Sequence, residues 1–520
     1  MVERNMKHLL ILFAILLFQS VTSFVQGQKV VEFMIEKAKT DNQTMHHLDV
    51  LTNRIGGRLI GSNGYENATY WVAGQLKKWG LDVEIQEVDE LPVGFNRGPW
   101  SGKILDSDGM ILHFATPSYT SGTKGAQRGH VVTEPKTQAQ FDRMKGRLKG
   151  AWVLITGTND GWPIDYSSRA DASRQAIIAN NEFNQHYNDS ITCINRENPD
   201  DAPLPLRKLD DAPALFYKEM RDAGILGIIQ SSAVPIRALF DSRNIYRMDF
   251  DNLPECPDIK LDEHQYKIIA QKVAERQNFQ LEFDIRNYFR PGPIKYHNVL
   301  GIIRGSEFPD EYVMSGGHLD AFDVATGAVD CGTGVAPNLE AARLLMLAGA
   351  KPRRTIVFCF WAGEEFGLLG SRYWVEQNRD KWPRISNYFN RDGGPLVANS
   401  LTVPPAMYED FKKATARLND IHPDFPFTLL ESKGDPPSRP TQLGNSDYAY
   451  FAQNGIPTIT FDISDPKGYD FNYDEIWHTE RDLYNMSIPE YMNHSAIVTA
   501  IVIYNIANLD KILSREGLYK

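Results

Sequence analysis

For a chain of 520 residues the sequence has little cysteine: four, at Cys193, Cys256, Cys331 and Cys359. That is too few to staple a disulfide scaffold, so the fold must rest on a buried core. It also lacks any apolar run of about 20 residues, the length a helix needs to cross a bilayer, which argues against a stable membrane span. Positive charge is in deficit, with 55 Lys+Arg against 66 Asp+Glu and a formal charge of -11, which argues against the broad basic surface of a nucleic-acid binder. Internal repeats and low-complexity tracts are absent. What is present is 42% hydrophobic, 11% aromatic and 23% charged residues, a balance that excludes a disordered or collagen-like chain and leaves an acidic lectin or hydrolase open.

The first residues carry a secretory pattern. Arg4 and Lys7 precede the apolar run Leu9–Phe18, and Val25-Gln26-Gly27 offers a small-x-small cleavage site before Gln28. Residues 1–27 therefore read as a signal peptide, and the protein as secreted or periplasmic; a lipid or membrane tether is the alternative. Cys193 and Cys256 share a loop-rich region, where an oxidising compartment would let them pair or leave them free. Cys359 sits in an apolar run and reads as a buried thiol. Asn-x-Ser/Thr sequons at Asn42, Asn67, Asn188, Asn485 and Asn493 matter only in a eukaryotic secretory pathway.

Along the chain, Glu66–Leu81 has helical apolar spacing stopped by Gly80, and Asp82–Val88 alternates as a strand. From 120 to 289 the segment is richer in Asp, Asn, Arg and Pro, with a buried strand at Ala151–Thr156, a helix at Phe216–Ala223 and a strand at Gly224–Gln230. We read it as an inserted domain, with Arg290–Pro293 breaking regular structure at its exit. Residues 28–119 and 290–520 form the first and second parts of the enclosing domain. The second part alternates strands (starting at Tyr312, Thr355–Ala362, Ile385–Asn390, Ile456–Asp462) with helices such as Val335–Leu347. That order predicts an α/β fold with a mixed, largely parallel sheet flanked by helices.

Polar residues cluster where those strands end. His318 and Asp320 follow the first strand, Glu364 and Glu365 the second, and Asp392 the third, the edge at which open α/β sheets bind ligands. Asp330 opens onto the helix near Val335, and His478 lies beyond the fourth strand. Imidazole and carboxylate are both good zinc ligands. Two ions about 3.5 to 4 Å apart need a bridging carboxylate, for which Asp330 is placed. Three ligand carboxylates and a hydroxide match the charge of two divalent ions. Asp320 is spaced to accept the second ring N–H of His318. Of the adjacent acids Glu364 and Glu365, one is free to act as the base while the other binds metal. Each signal has a plainer reading: acids at a helix start, Asp392-Gly-Gly as a turn, and histidines such as His113 and His494 as structural.

These residues resemble the M28 metallopeptidases, most closely the plasma glutamate carboxypeptidase (carboxypeptidase Q) branch. The resemblance runs through Arg54–Ser62, Ser315–Val324, Gly327–Gly334, Ala362–Gly367, Asp392–Gly394, Ser446-Asp447 and Trp477-His478. It implies a zinc-exopeptidase sheet with an inserted protease-associated domain and two zinc ions. His318 and Asp392 would hold one ion, Glu365 and His478 the other, with Asp330 bridging. Glu364 is then the general base toward a water shared by the ions, and Asp320 orients His318. Ser446 and Asp447 are candidates for substrate binding, Asp447 toward a free amino group, with capping of the helix Tyr448–Gln453 the other reading of Asp447. Cys331 departs from the Asp or Asn common after the bridging acid; a thiol there is a spare ligand, an oxidation-sensitive neighbour or, the reading favoured, a bystander. The implied activity is hydrolysis of dipeptides or short peptides. The alternatives are an aminopeptidase on longer peptides, an inactive binding or receptor protein, and a one-zinc glutaminyl cyclase. Relatives often dimerise, which makes a homodimer an expected partner state beside the peptide substrate.

Overall fold

The computed structural model describes residues 27–106 and 109–520; the signal-peptide reading, apart from Gly27, lies outside the described residues. The chain forms two compact units. One contains the described residues up to Asp89 together with Lys295–Trp477 and Asp482–Lys520, and the other contains Glu90–Ile294 and His478–Arg481.

The first unit is organised on a five-stranded sheet whose first two strands continue into the sequence of the second unit: β1 (Asp82–Asn96), β2 (Tyr288–Ile303), β3 (Phe308–His318), β4 (Arg354–Trp361) and β5 (Ile385–Asn390), in spatial order β1-β2-β4-β3-β5. β3 runs parallel to both β4 and β5, and β4 is antiparallel to β2, a mixed α/β arrangement of the expected kind. Every residue of β4 is buried, which is why its apolar run shows no alternation. The helices Thr333–Leu347 and Pro489–Ala507 pack on one another and are buried along most of their length, as helices apolar on all sides must be. Among the described residues no helix is long and apolar enough to cross a membrane. The helix foreseen at Glu66–Leu81 runs over Asn63–Trp79. It starts where the Ser62 hydroxyl accepts the Tyr65 N–H at 3.1 Å and stops at Gly80, whose φ is 95°, a left-handed ending that glycine adopts without strain.

Two expectations are corrected. No strand forms over Ile456–Asp462; the strand is Asp462–Ser464, paired with Val397–Val403 in a separate three-stranded sheet. Residues 457–459 instead meet β5 through the Tyr388 N–H to Pro457 O bond and the Asn387 side chain, which bonds the Ile459 N–H and carbonyl. Pro457 has no N–H to continue a ladder. Nor do Arg290–Pro293 break regular structure: they lie inside β2, with Pro291 and Pro293 exposed, where a strand tolerates a missing donor.

The second unit holds a seven-stranded sheet in the order Trp100–Leu105, Gln280–Ile285, Gln127–Thr133, Ala151–Thr158, Gly227–Ser232, Asp258–Asp262, Phe114–Ala115. Trp100–Leu105 pairs antiparallel with Gln280–Ile285. That long-range pairing is why this unit starts at Glu90 rather than at the compositional change near residue 120. Its 30-residue helix Ser168–Glu197 carries Asn181, Asn188 and Asn195 seven residues apart. Their amides pair in both directions with the backbone of Asp210, Arg207 and Leu204. Seven helical residues rise about 10.5 Å and three extended residues about 9.3 Å, so the two repeats stay in step. Asn188 thus spends its amide internally, whereas Asn67 and Asn485 are exposed. All four cysteines are free, Cys193 exposed and Cys256 buried, so the pairing left open above does not form.

Candidate metal centre

Parallel β3, β4 and β5 end at one edge. His318 closes β3 beside Trp361 of β4, and Gly316 lies beside Asn390 of β5. A Cβ on Gly316 would stand 2.0 Å from the Cys359 carbonyl oxygen, so the close approach of the strands requires glycine there.

His318 is fully buried, and its Nδ1 lies 2.9 Å from the backbone carbonyl oxygen of Asp320. A carbonyl only accepts, so Nδ1 carries hydrogen and Nε2 is left to face inward. Nε2 stands 3.2 Å from Asp330 Oδ1 and 3.5 Å from Asp392 Oδ1 and makes no hydrogen bond. A buried nitrogen lone pair facing carboxylate oxygens is repulsive until positive charge stands among them. The electrostatics agree. Burial disfavours a charged ring, but Cys331, Asp392 and Glu364 outweigh it and hold the His318 pKa well above its usual value. The His318 ring, Asp330 and Glu365 place one donor atom each within 4.8 Å of one another, and the His318 ring, Cys331 and Asp392 form a second such group.

Asp320 acts differently from expectation. Its carboxylate oxygen is 3.6 Å from His318 Nδ1, and its backbone carbonyl orients the ring instead. The carboxylate accepts the N–H of Glu364 at 3.1 Å and of Glu365 at 3.2 Å. The physical reason is mutual: two amides leaving β4 need acceptors, and a fully buried carboxylate needs donors. Asp320 therefore fixes the turn that presents both glutamates. Burial, added to by Glu365, Asp392 and Asp447 and opposed by His318, raises the Glu364 carboxyl well above the usual range.

Asp392 is reached by a chain of hydrogen bonds out of the aromatic core. Trp361 Nε1 donates to Tyr388 Oη at 2.7 Å, Tyr388 O–H to Asn390 Oδ1 at 2.8 Å, Asn390 Nδ2 to Ser446 Oγ at 2.9 Å, and Ser446 O–H to Asp392 Oδ2 at 2.6 Å. Ser446 is buried, and its hydroxyl is engaged by Asp392 and Asn390. Asp447 is fully buried and makes no capping bond, which goes against the capping reading. Burial, opposed by His318, pushes its carboxyl up to about 7.

Asp330 is set from its backbone: the N–H groups of Val329 and Asp330 donate to the Asp482 carboxylate at 2.5 and 3.2 Å. The fully buried Arg58 guanidinium donates to the carbonyls of Leu319, Thr326 and Gly327 at 2.8, 2.9 and 2.8 Å, stapling the loop between His318 and Asp330. His478 lies outside both donor groups. It is half-buried, at a left-handed φ of 57°, in the tetrapeptide His478–Arg481 of the second unit. That tetrapeptide is held there by Glu480, whose N–H donates to Ile236 O at 3.1 Å and whose carboxylate accepts the Ile236 N–H at 3.2 Å and meets His113 Nε2 at 2.7 Å. Sequence reasoning missed Arg58, Tyr388, Asn390 and Asp482. Only Arg58 left a signal, a charged residue among the glycines and apolar residues of Arg54–Ser62.

The profile of peptidase family M28 matches residues 298–502. A probable glutamate carboxypeptidase of Arabidopsis thaliana is 38% identical over 223 residues, 40% of this chain and 31% of that protein. Human carboxypeptidase Q is 28% identical over 484 residues, 92% of this chain and 88% of that protein. The zinc aminopeptidase BSAP from Bacillus subtilis shares the fold, with a TM-score of 0.50 at 18% identity over 93% of this chain and 98% of that one.

Proposed function

Because the chain belongs, through residues 298–502, to peptidase family M28 and is a zinc metallopeptidase, we propose that it is a secreted exopeptidase hydrolysing dipeptides or short peptides. The observation that carries this reading is the fully buried His318 Nε2, free of hydrogen bonds and ringed by Asp330, Asp392, Glu365 and Cys331. That donor set suits zinc. His318 and Asp392 would hold one ion and Glu365 and His478 a second, with Asp330 available to both. Bound zinc supplies Lewis acidity toward the scissile carbonyl and lowers the pKa of water.

The protein's own groups do the rest. Glu364, held by the Asp320 carboxylate through its backbone and raised in pKa, takes a proton from the attacking water and returns it to the leaving amine. Asp320, Ser446 and Arg58 fix the carriers of these groups. The retained base and ligand set favour a peptidase over an inactive binding protein on the same scaffold. Secretion is supported by Arg4, Lys7 and the apolar run Leu9–Phe18, and exopeptidase action by the carboxypeptidase and aminopeptidase relatives.

The test is a panel of dipeptides with free, N-acetylated and C-amidated termini, assayed before and after chelation. Loss with either block indicates a dipeptidase and loss on acetylation alone an aminopeptidase. Activity that survives chelation would refute the reading. Glu364→Gln is expected to bind zinc like the parent while losing at least about 100-fold in turnover, a typical contribution of general-base catalysis; parental turnover would remove Glu364 from the role.

A further inference from the structure

We propose that Cys331 is a sulfur ligand of the ion assigned to His318 and Asp392, so that this centre has nitrogen, oxygen and sulfur donors. The inference rests on the zinc reading above and adds to it a donor that the sequence leaves open between spare ligand and bystander.

The geometry points there on three counts. First, the Cys331 sulfur, a His318 ring nitrogen and an Asp392 carboxylate oxygen all lie within 4.8 Å of one another. Donors of one tetrahedral zinc, at about 2.0–2.3 Å from the metal, stand roughly 3.3–3.8 Å apart, so only a small contraction is needed. Second, the ring nitrogen available to that group is Nε2, since Nδ1 is committed to the Asp320 carbonyl, and Nε2 is fully buried with no hydrogen bond. It is an unpartnered atom that looks for a ligand in the same spot.

Third, the thiol sits at a close approach that glycines permit. A Cβ on Gly334 would lie 2.2 Å from the Arg391 carbonyl oxygen and 2.4 Å from the sulfur, and one on Gly317 2.5 Å and 3.2 Å from the same two atoms. The thiol donates to the Arg391 carbonyl oxygen at 3.2 Å, a weak bond that costs little to exchange for a metal. A buried cysteine with a purely packing role normally sits among apolar side chains; this one sits among His318, Asp392 and the Arg391 carbonyl.

On binding, the S–H bond breaks, the proton leaves to solvent and the sulfur lone pair forms the metal bond, so charge balances with one proton released. The added thiolate gives the His318 ion a fuller, softer donor set.

The experiment is zinc X-ray absorption on the full chain loaded with zinc, with the cobalt-substituted protein and Cys331→Ser as companions. We expect a sulfur scatterer at about 2.3 Å in the parent beside nitrogen and oxygen at about 2.0–2.1 Å. We also expect a sulfur-to-cobalt charge-transfer band in the near ultraviolet that Cys331→Ser loses. Zinc bound with nitrogen and oxygen scatterers only would overturn the sulfur assignment and leave the zinc reading standing. A parent protein that binds no zinc would overturn both.

Discussion

Replacing Ser446 by alanine separates an orienting role of this residue from a substrate contact. In the structure its hydroxyl donates to Asp392 Oδ2 at 2.6 Å and accepts from Asn390 Nδ2 at 2.9 Å. Alanine leaves a buried carboxylate oxygen without its donor and an amide without its acceptor. A hydrogen bond to a charged group contributes about 1.5–3 kcal/mol. Loss of a partner that orients a metal ligand typically lowers metal affinity about 10–100-fold, or roughly 1.4–2.7 kcal/mol. The two estimates agree, so Ser446→Ala is expected to weaken zinc binding by 1 to 2 orders of magnitude. Competition against a chromogenic chelator measures this directly, with kcat and KM taken at saturating zinc. Under the orienting role KM changes little once zinc is restored. Parental zinc affinity combined with a raised KM would refute the reasoning and return Ser446 to a substrate contact.

Two further outcomes test the supporting framework. Arg58→Lys keeps the charge but loses the fork that holds the carbonyls of Leu319, Thr326 and Gly327; with at least two buried carbonyls left unpaired, a loss of about 2–5 kcal/mol is expected by chemical denaturation, together with weaker zinc binding. His113 lies between Glu480 and Asp262 at 2.7 and 3.2 Å. Burial works against its charge, but these two carboxylates outweigh it and raise its pKa above 6.5. A raised folded-state pKa gives stability that is fully present below the unfolded value and is lost as pH rises through the folded one. The melting temperature of the parent should therefore exceed that of His113→Gln most at about pH 5 and converge with it by about pH 9; a gap that widens with pH would contradict the assignment.

What was legible in the sequence follows from what is local. Long apolar runs announced β4 and the helix Thr333–Leu347, Gly80 announced a helix end, and strand ends followed by His318, Glu364, Glu365 and Asp392 announced a shared edge. Parallel pairing of β3 with β4 and β5 makes those ends coincide in space. What was not legible depends on partners distant in the chain. Trp100–Leu105 looks like part of the first unit until its pairing with Gln280–Ile285 is seen. Asp320 could have oriented His318 by either its carboxylate or its carbonyl, and the choice is made by two amides 44 and 45 residues away. Tyr388 and Asn390 read as ordinary strand residues, and their link to Asp392 exists only through Ser446.

The central claim is that side chains delivered by separate strands and loops grip a pair of zinc ions. Its most direct measurement is the zinc content of the dialysed full chain by plasma mass spectrometry, paired with peptide hydrolysis before and after chelation. The account predicts two zinc ions per chain, with activity lost on their removal and regained on their return. A chain that retains no zinc, or that hydrolyses peptides equally well without it, would contradict the account.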